Sequence, residues 1–313
     1  PSTKAIVNVK MISVYLVVCV ATGHWTGLVC TSLADIIGTV NKSLLTLDNR
    51  GNDMDELAGI ILAAGEGSRM KSRTPKVLHC LCGKELLRFP VELLGKLGMT
   101  RIVVVVSPAN REAIKGLLGD TVEYTVQEAR TGTAGAVESA ASMLQGQFEQ
   151  VVVIGGDAPL VAEDSVRRLI DGHIQDSRQM SILSGIVQVS QGLGRISRDL
   201  GSQQNVLGIV EANDDTGRTG EPIEINSGVY CFQADWLWEN LGKVGAGKSQ
   251  ERYLTDLAAI AAGKGDAVAA VVADDPDEVM GINTRVELAR LEDIQRRRIR
   301  ERWMLEGVTI MDP

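Results

Sequence analysis

From residue 58 onward, short runs of Val, Ile and Ala alternate with stretches whose apolar residues recur at helical spacing. Runs at 58–63, 102–106, 122–126, 151–154 and 182–189 predict strands. The stretches 85–97, 110–117, 134–144 and 163–173 predict the helices between them. A run such as Val103-Val104-Val105-Val106 has no polar alternate, so both faces of that strand need cover. Helices following each strand supply it through right-handed crossovers, which implies an α/β fold: a mostly parallel sheet with helices on both faces. Every parallel strand then sends its C-terminal loop to one edge, where such sheets bind ligands. After Gly192 the order changes to short strands at 206–210 and 223–232, a helix over 253–262 and a strand over 267–273. A long charged helix over 284–305 follows. No internal repeat is visible.

Residues 1–53 follow another pattern. Met11 to Val20 is apolar, but a spanning helix needs about 20 such residues, and no small-residue cleavage site follows it. This stretch is read as an appendage, with the natural beginning expected at Met54. No membrane insertion is expected.

The formal net charge of −8 argues against broad binding to nucleic acid or an anionic membrane surface. A polyanionic ligand must therefore be held by a few placed cations. The five cysteines have no Cys-x-x-Cys spacing, and three histidines are too few for a histidine-rich metal cluster. Any metal should be a hard ion bound through oxygen, and a cytoplasmic location is the expectation.

Chemistry concentrates after the first strand, in Leu62-Ala63-Ala64-Gly65-Glu66-Gly67-Ser68-Arg69-Met70. Small residues there allow backbone N–H groups close to a phosphate or a base. The run is neither a dinucleotide fingerprint nor a Walker A loop, and on its spacing alone it reads first as a tight strand-to-helix turn. Arg69 and Lys76, the latter in Thr74-Pro75-Lys76-Val77-Leu78, add the two cations that a triphosphate requires. Asp157, in Gly155-Gly156-Asp157-Ala158-Pro159, follows a buried strand and suits either a Mg²⁺ ligand or a cap.

The run LAAGEGSRMKSRTPKVLH resembles the signature of the bacterial N-acetylglucosamine-1-phosphate uridylyltransferase family, the first half of a bifunctional enzyme. The likeness extends in order from about Leu57 to Pro313. It implies a Rossmann-like, nucleotide-diphospho-sugar transferase fold over 54–283 and a linker helix over 284–306. Residues 307–313 then look like the start of a left-handed β-helix. The acetyltransferase half is expected to be absent from this chain, and full-length relatives are expected to be homo-oligomeric through that β-helix.

The resemblance also implies roles. Leu62, Ala63, Ala64 and Gly65 line the nucleotide, with Arg69, Lys76 and Asp157 as catalytic residues. Gln127 and Gly132, in Gln127-Glu128-Ala129-Arg130-Thr131-Gly132-Thr133, read the uracil, and Thr133 supports the nucleotide. Gly194, Glu211, Asn226 and Asn283 bind N-acetylglucosamine-1-phosphate. Asp157 and Asn283 hold Mg²⁺. As alternatives from the residues themselves, Thr133 suits the N-cap of the next helix and Asn283 the N-cap of the last one. Glu251 and the Tyr253-Leu254-Thr255-Asp256 run match a further patch without an assigned role. Two departures stand out: Gly155 and Leu193 occupy positions where the family often has aromatics, which bears on sugar selectivity.

Two rival readings remain. Gly242-Lys243-Val244-Gly245-Ala246-Gly247-Lys248-Ser249 satisfies the Walker A expression, but an amphipathic helix, not a strand, precedes it. A non-catalytic nucleotide-sugar sensor has no need for the full metal and leaving-group set. The expected reaction is uridylyl transfer from UTP to N-acetylglucosamine-1-phosphate, releasing pyrophosphate. Another sugar-1-phosphate nucleotidyltransferase is the nearest alternative.

Overall fold

The structure is a computed structural model that describes residues 57–188, 192–199, 205–211, 221–246 and 250–312. The appendage expected over 1–53 lies outside the described residues, as do Val189 and the last three residues of the Walker-like run, Gly247, Lys248 and Ser249.

The described residues begin with strand β1 (Leu57–Leu62), the hairpin β2 (Cys80–Leu81) and β3 (Lys84–Glu85), helix α1 (Arg88–Lys96) and β4 (Arg101–Val106). It continues through α2 (Arg111–Leu118), β5 (Glu123–Val126), α3 (Gly132–Glu138), α4 (Ala141–Leu144), β6 (Gln150–Gly155) and α5 (Glu163–Gln175). β7 (Met180–Val187), β8 (Arg195–Arg198), β9 (Val206–Val210) and β10 (Ile223–Gln233) follow. The remaining elements are α6 (Ala234–Leu241), α7 (Asp256–Lys264), β11 (Val268–Val272) and α8 (Arg285–Leu305).

The central sheet has the order β11-β7-β10-β6-β1-β4-β5. β1 pairs in parallel with β4 and β6, and β4 in parallel with β5. β10 alone on this path runs antiparallel to its neighbours β6 and β7. β8 and β9 extend the sheet from β10.

Alternate residues of each buried strand feed opposite cores. Leu57, Ile61, Val104, Val106, Val152 and Ile154 pack under α1, α2 and α5 through residues such as Leu94, Ile114 and Leu169. Ala58, Ile60, Val103, Val105, Val151 and Val153 pack under the other helices, through Val137, Leu144, Leu237 and Leu257. The α/β reading therefore holds, with helices on both faces. A third cluster joins Met70, Leu81, Leu86, Leu160, Met280 and Ile282 to Leu291 and Ile294 of α8. The first half of this charged helix is thus packed on the sheet domain, while Trp303 and Leu305 near its end are exposed.

Several boundaries differ from the sequence expectation for local reasons. The helix expected from residue 85 starts at Arg88 because Glu85 pairs with Cys80 across a tight turn. Cys82 (φ 50) and Gly83 (φ 84) adopt the left-handed pair that a two-residue hairpin needs. The helix expected over 134–144 divides between α3 and α4. There the Thr125 hydroxyl donates to the Ser139 carbonyl at 2.7 Å, and Ser139 Oγ donates back to Ala136 O at 2.6 Å. The helix expected from 253 begins at Asp256. β8 has one buried residue, Ile196, and exists through its pairing with β9 and β10.

His173 on α5 is fully buried, with Nδ1 2.9 Å from Ser181 Oγ and Nε2 2.9 Å from Gln150 Oε1. The Gln150 carbonyl can only accept, so Nε2 carries the proton and Nδ1 accepts from Ser181. Burial, then the nearby Arg178, lower its pKa from 6.5 to about 4. The unfolded chain therefore binds the extra proton first. Stability from this group is complete above pH 6.5 and is lost as pH falls towards about 4. We predict that His173→Gln is less stable than wild type at pH 8 and that the gap narrows on acidification to pH 5. Urea denaturation at both pH values is the check, and curves offset by a constant amount would contradict it.

Candidate active site

β1, β4, β5 and β6 are parallel neighbours, so Leu62, Val106, Val126 and Gly155 end at one edge of the sheet. The chain moves from β1 outward to β4 and β5, then returns to β6 on the other side of β1. The edge between Leu62 and Gly155 is therefore a topological switch point. Gly156 N–H donates to Leu62 O at 2.9 Å and stitches the two loops together where they leave the sheet. Asn110, buried at the start of α2, donates from Nδ2 to Ala63 O at 2.8 Å and accepts from Ser107 N–H. Sequence reasoning missed this pin, because an Asn ahead of a helix reads as an ordinary cap.

Three clusters of the expected residues form along this edge. In the first, Lys76 Nζ donates to Asp157 Oδ2 and, at 3.0 Å, to Asn283 Oδ1. Arg69 donates to the same Asn283 oxygen at 3.0 Å. The Lys76 and Asp157 side chains are mostly buried, so their ion pair is less screened than a surface pair. Short 3₁₀ turns, Ser68–Met70 and Lys76–Leu78, position the two cations. Gly67, which precedes the first turn, has φ 62, and an added Cβ would collide with Lys76 Cβ. Ile282 N–H donates to Asp157 O at 3.1 Å, which draws Asn283 to the end of β6. Asn283 is not the cap of α8. Thr284 is, through a full capping box with Glu287, which leaves the Asn283 amide facing the cations.

The oxygens of Asp157 and Asn283 converge on one ammonium, so they face a common point where a cation is already accommodated. A carboxylate and an amide carbonyl are hard donors, and Mg²⁺ takes few protein ligands, keeping waters and phosphate oxygens for the rest. The donor set fits such an ion. Among the described residues no group of three His, Cys, Asp or Glu side chains forms an alternative centre. The departure at Gly155 has a local correlate. An added Cβ there would lie 2.6 Å from Asp157 Oδ1, so the missing side chain makes room for the carboxylate in this position.

The second cluster follows β5. Gln127 Nε2 donates to Gly132 O at 3.0 Å. Gly132 has φ 87, and an added Cβ would meet the backbone of Arg252. Thr133 does not cap α3: its hydroxyl oxygen accepts from Leu254 N–H at 2.8 Å, and Thr131 occupies the N-cap position. Glu66 and Arg130 form an exposed ion pair between this segment and the glycine loop.

The third cluster lies on the extension of the sheet. Asn226 N–H donates to Gly194 O at 2.8 Å, and Glu211 lies beside Gly194. A bulge in β10 after Asn226 changes its register against β7 and turns the amide aside. Its Nδ2 donates to the Tyr230 hydroxyl at 2.6 Å and its Oδ1 accepts from Gly228 N–H at 3.0 Å. Burial raises the Tyr230 pKa, so the phenol stays neutral. Leu193, the second departure, packs against the core as a partly buried side chain. All the sequence-predicted site residues thus fall in the three clusters or, for Leu62 to Gly65, at the end of β1 and on the loop that follows it.

The Walker-like run is elsewhere. It follows helix α6, and Arg252 donates both to the Leu241 carbonyl at the end of that helix and to the Val244 carbonyl within the run. A phosphate cradle presents N–H groups, whereas the described part of this run presents the Val244 oxygen to a cation. A cavity of about 450 Å³ lined by Asp277, Arg290, Asp293, Ile294, Arg297 and Arg300 lies against α8, away from the three clusters. We rank it below the strand edge because none of the converging groups described above lines it.

Comparison with known proteins identifies the family. The family described as Nucleotidyl transferase matches residues 58–294. A "Bifunctional protein GlmU" of Caldanaerobacter subterraneus subsp. tengcongensis is 40% identical over 83% of this chain and 56% of its own length. Proteins of the same description from Syntrophotalea carbinolica and Clostridium novyi are 40% and 41% identical. Those matches cover 83% and 82% of this chain, and 55% and 56% of the relatives. The chain therefore spans little more than half the length of these curated relatives. Among the described residues no helix is long and apolar enough to cross a membrane.

Lys248→Ala is expected to leave nucleoside triphosphate affinity within about twofold of wild type, since the described part of its run is turned towards a cation. Isothermal titration with UTP measures it. A large loss there, with Lys76→Ala unaffected, would move the nucleotide to the Walker-like run.

Proposed function

Since the chain belongs to the nucleotidyl transferase family, we propose that it transfers a uridylyl group from UTP to N-acetylglucosamine-1-phosphate. The products are UDP-N-acetylglucosamine and pyrophosphate. One observation carries the reading: Arg69, Lys76, Asp157 and Asn283 converge at the switch point of the sheet, joined by hydrogen bonds of the side chains themselves. Curated relatives of the name given above, alike over most of this chain, support it.

A phosphate oxygen of the sugar phosphate attacks the α-phosphorus of UTP in line, and the bond from that phosphorus to the oxygen leading to the β-phosphate breaks. The attacking oxygen is already anionic, so no general base is needed. Arg69 and Lys76 hold the triphosphate and neutralise the charge that gathers on the departing pyrophosphate. Asp157 and Asn283 hold Mg²⁺, which when bound offsets the repulsion between the two reacting phosphates. Leu62 to Gly65 line the nucleotide with backbone, and the Gln127 amide reads the uracil edge beside Gly132 with Thr133 in support. Gly194, Glu211 and Asn226 take the sugar. Residues 54–283 form the catalytic body, and the helix over 284–306, packed on it through its first half, leads away at its exposed end.

The direct test is pyrophosphate release from a panel of nucleoside triphosphates and sugar phosphates with Mg²⁺. UTP with N-acetylglucosamine-1-phosphate should be the best pair. A different best sugar would assign the chain to another sugar-1-phosphate nucleotidyltransferase. Asp157→Ala and Asn283→Ala are each expected to lower kcat by on the order of 10²–10³-fold with the fold retained by circular dichroism. Lys76→Ala should act mainly on kcat, because its ammonium follows charge that develops only as the bond breaks. Near-normal turnover in any of the three would remove that residue from the mechanism.

A further inference from the structure

Between α6 and α7 the chain passes through Glu251-Arg252-Tyr253-Leu254-Thr255, outside any helix or strand. Sequence reasoning gave this patch no role, and Arg252 entered none of the expected site lists. In the structure it is the residue on which the second cluster is mounted. Arg252 N–H donates to Thr131 O at 2.9 Å, and Arg252 O accepts from Ala134 N–H at 3.0 Å. These two bonds bracket Gly132, whose missing side chain lets the backbones touch.

The guanidinium is committed in three directions. Nε donates to Val244 O at 3.1 Å, one terminal nitrogen to Leu241 O at 2.6 Å, and the other to Glu138 Oε2 at 2.6 Å. Leu241 is the last residue of α6, where helix carbonyls are unpaired and the helix dipole favours a cation. Glu138 is the last residue of α3. One residue therefore ties the end of α6, the stretch after it and the end of α3 to the start of α3 at Gly132. A lysine, with one nitrogen, cannot reach three such acceptors in a fixed plane.

The next residues carry the tie to the third cluster. Leu254 N–H donates to Thr133 Oγ1 at 2.8 Å, and the Thr255 hydroxyl donates to Glu211 Oε1 at 2.6 Å. Four consecutive residues thus connect the segment proposed to read the base with the carboxylate proposed to bind the sugar.

We propose that Arg252 is a positioning residue for base selection. It fixes residues 131–133 against Gln127, and the strap running from it to Thr255 sets the spacing between the base and sugar subsites. The proposal rests on the reading of Gln127 and Gly132 as the uracil contacts.

The test is steady-state kinetics of the full chain with UTP and CTP, each against varied sugar phosphate, with thermal melting alongside. Arg252→Met keeps the aliphatic stem and removes all three donors. It is expected to raise KM for UTP about tenfold and lower the UTP:CTP ratio of kcat/KM by a similar factor. KM for the sugar phosphate should stay within about threefold of wild type. Arg252→Lys should rescue little of the ratio. Thr255→Val should show the opposite pattern, with KM raised for the sugar phosphate and the base ratio kept. Glu138→Gln, which alters only a partly exposed partner, should lower the ratio in the same direction by less. It keeps the test open if Arg252→Met does not fold.

A folded Arg252→Met with an unchanged KM for UTP and an unchanged base ratio, whatever its melting temperature, overturns the proposal. So does an unchanged ratio in Glu138→Gln where Arg252→Met is unfolded. A wild-type protein with no preference for UTP overturns the base reading itself. Preference in wild type that survives the loss of Arg252 overturns the strap alone.

Discussion

β1 is hydrogen-bonded in parallel to β4 on one side and β6 on the other, and the site depends on that pairing. Parallel strands cannot be joined by tight turns, so each returns through a helix and presents its C-terminal loop at the same edge. Because the chain leaves β1 in one direction and comes back in the other, the loops after β1 and β6 diverge and leave a crevice between them. The glycine loop with Arg69 and Lys76 comes from one wall and Asp157 from the other. Ile282, bonded to the Asp157 backbone, brings Asn283 across from a distant part of the sequence.

Electrostatics within this acidic chain follow from the same arrangement. A net charge of −8 would repel a triphosphate, so attraction must be local. Lys76 and Arg69 provide it, and both share the Asn283 oxygen. Their partners are one carboxylate and one amide, oxygens that a metal can take over when phosphates engage the cations. Arg252 shows the contrast. Its donors end on two backbone carbonyls and one carboxylate, partners fixed by α6 and α3, so it serves as a fastening and not as an anion receptor.

The Walker-like run illustrates why a spacing of residue types is not a site. Glycines and a lysine at the right intervals specify a phosphate cradle only where a strand delivers the loop and a helix N-terminus completes it. Here a helix precedes the run, and the Val244 carbonyl within it is turned to a guanidinium. The chemistry of the loop is reversed by its neighbours, with no change in its residues.

Local sequence determined the sheet and much of the first cluster. Val/Ile runs without polar alternates can form only strands buried on both faces, and the residues that follow such strands must lie at the ligand edge. Lys76 and Asp157 were legible for this reason, whereas the place of Thr133 in the segment after β5 was implied by the family resemblance. Whether Asn283 capped a helix or faced the cations was open in the sequence, because an Asn before a helix suits both. Tertiary structure decided it when the capping box fell on Thr284. The same holds for Thr133, whose hydroxyl takes a distant backbone N–H instead of capping its helix. β8 left no periodic signal, and Tyr253 to Thr255 read as the start of the following helix, since the bonds of both run to partners far away in the chain. Periodicity records which face of an element is buried. It carries nothing about which remote carbonyl or carboxylate a polar side chain will meet, and that is set only once the sheet has closed.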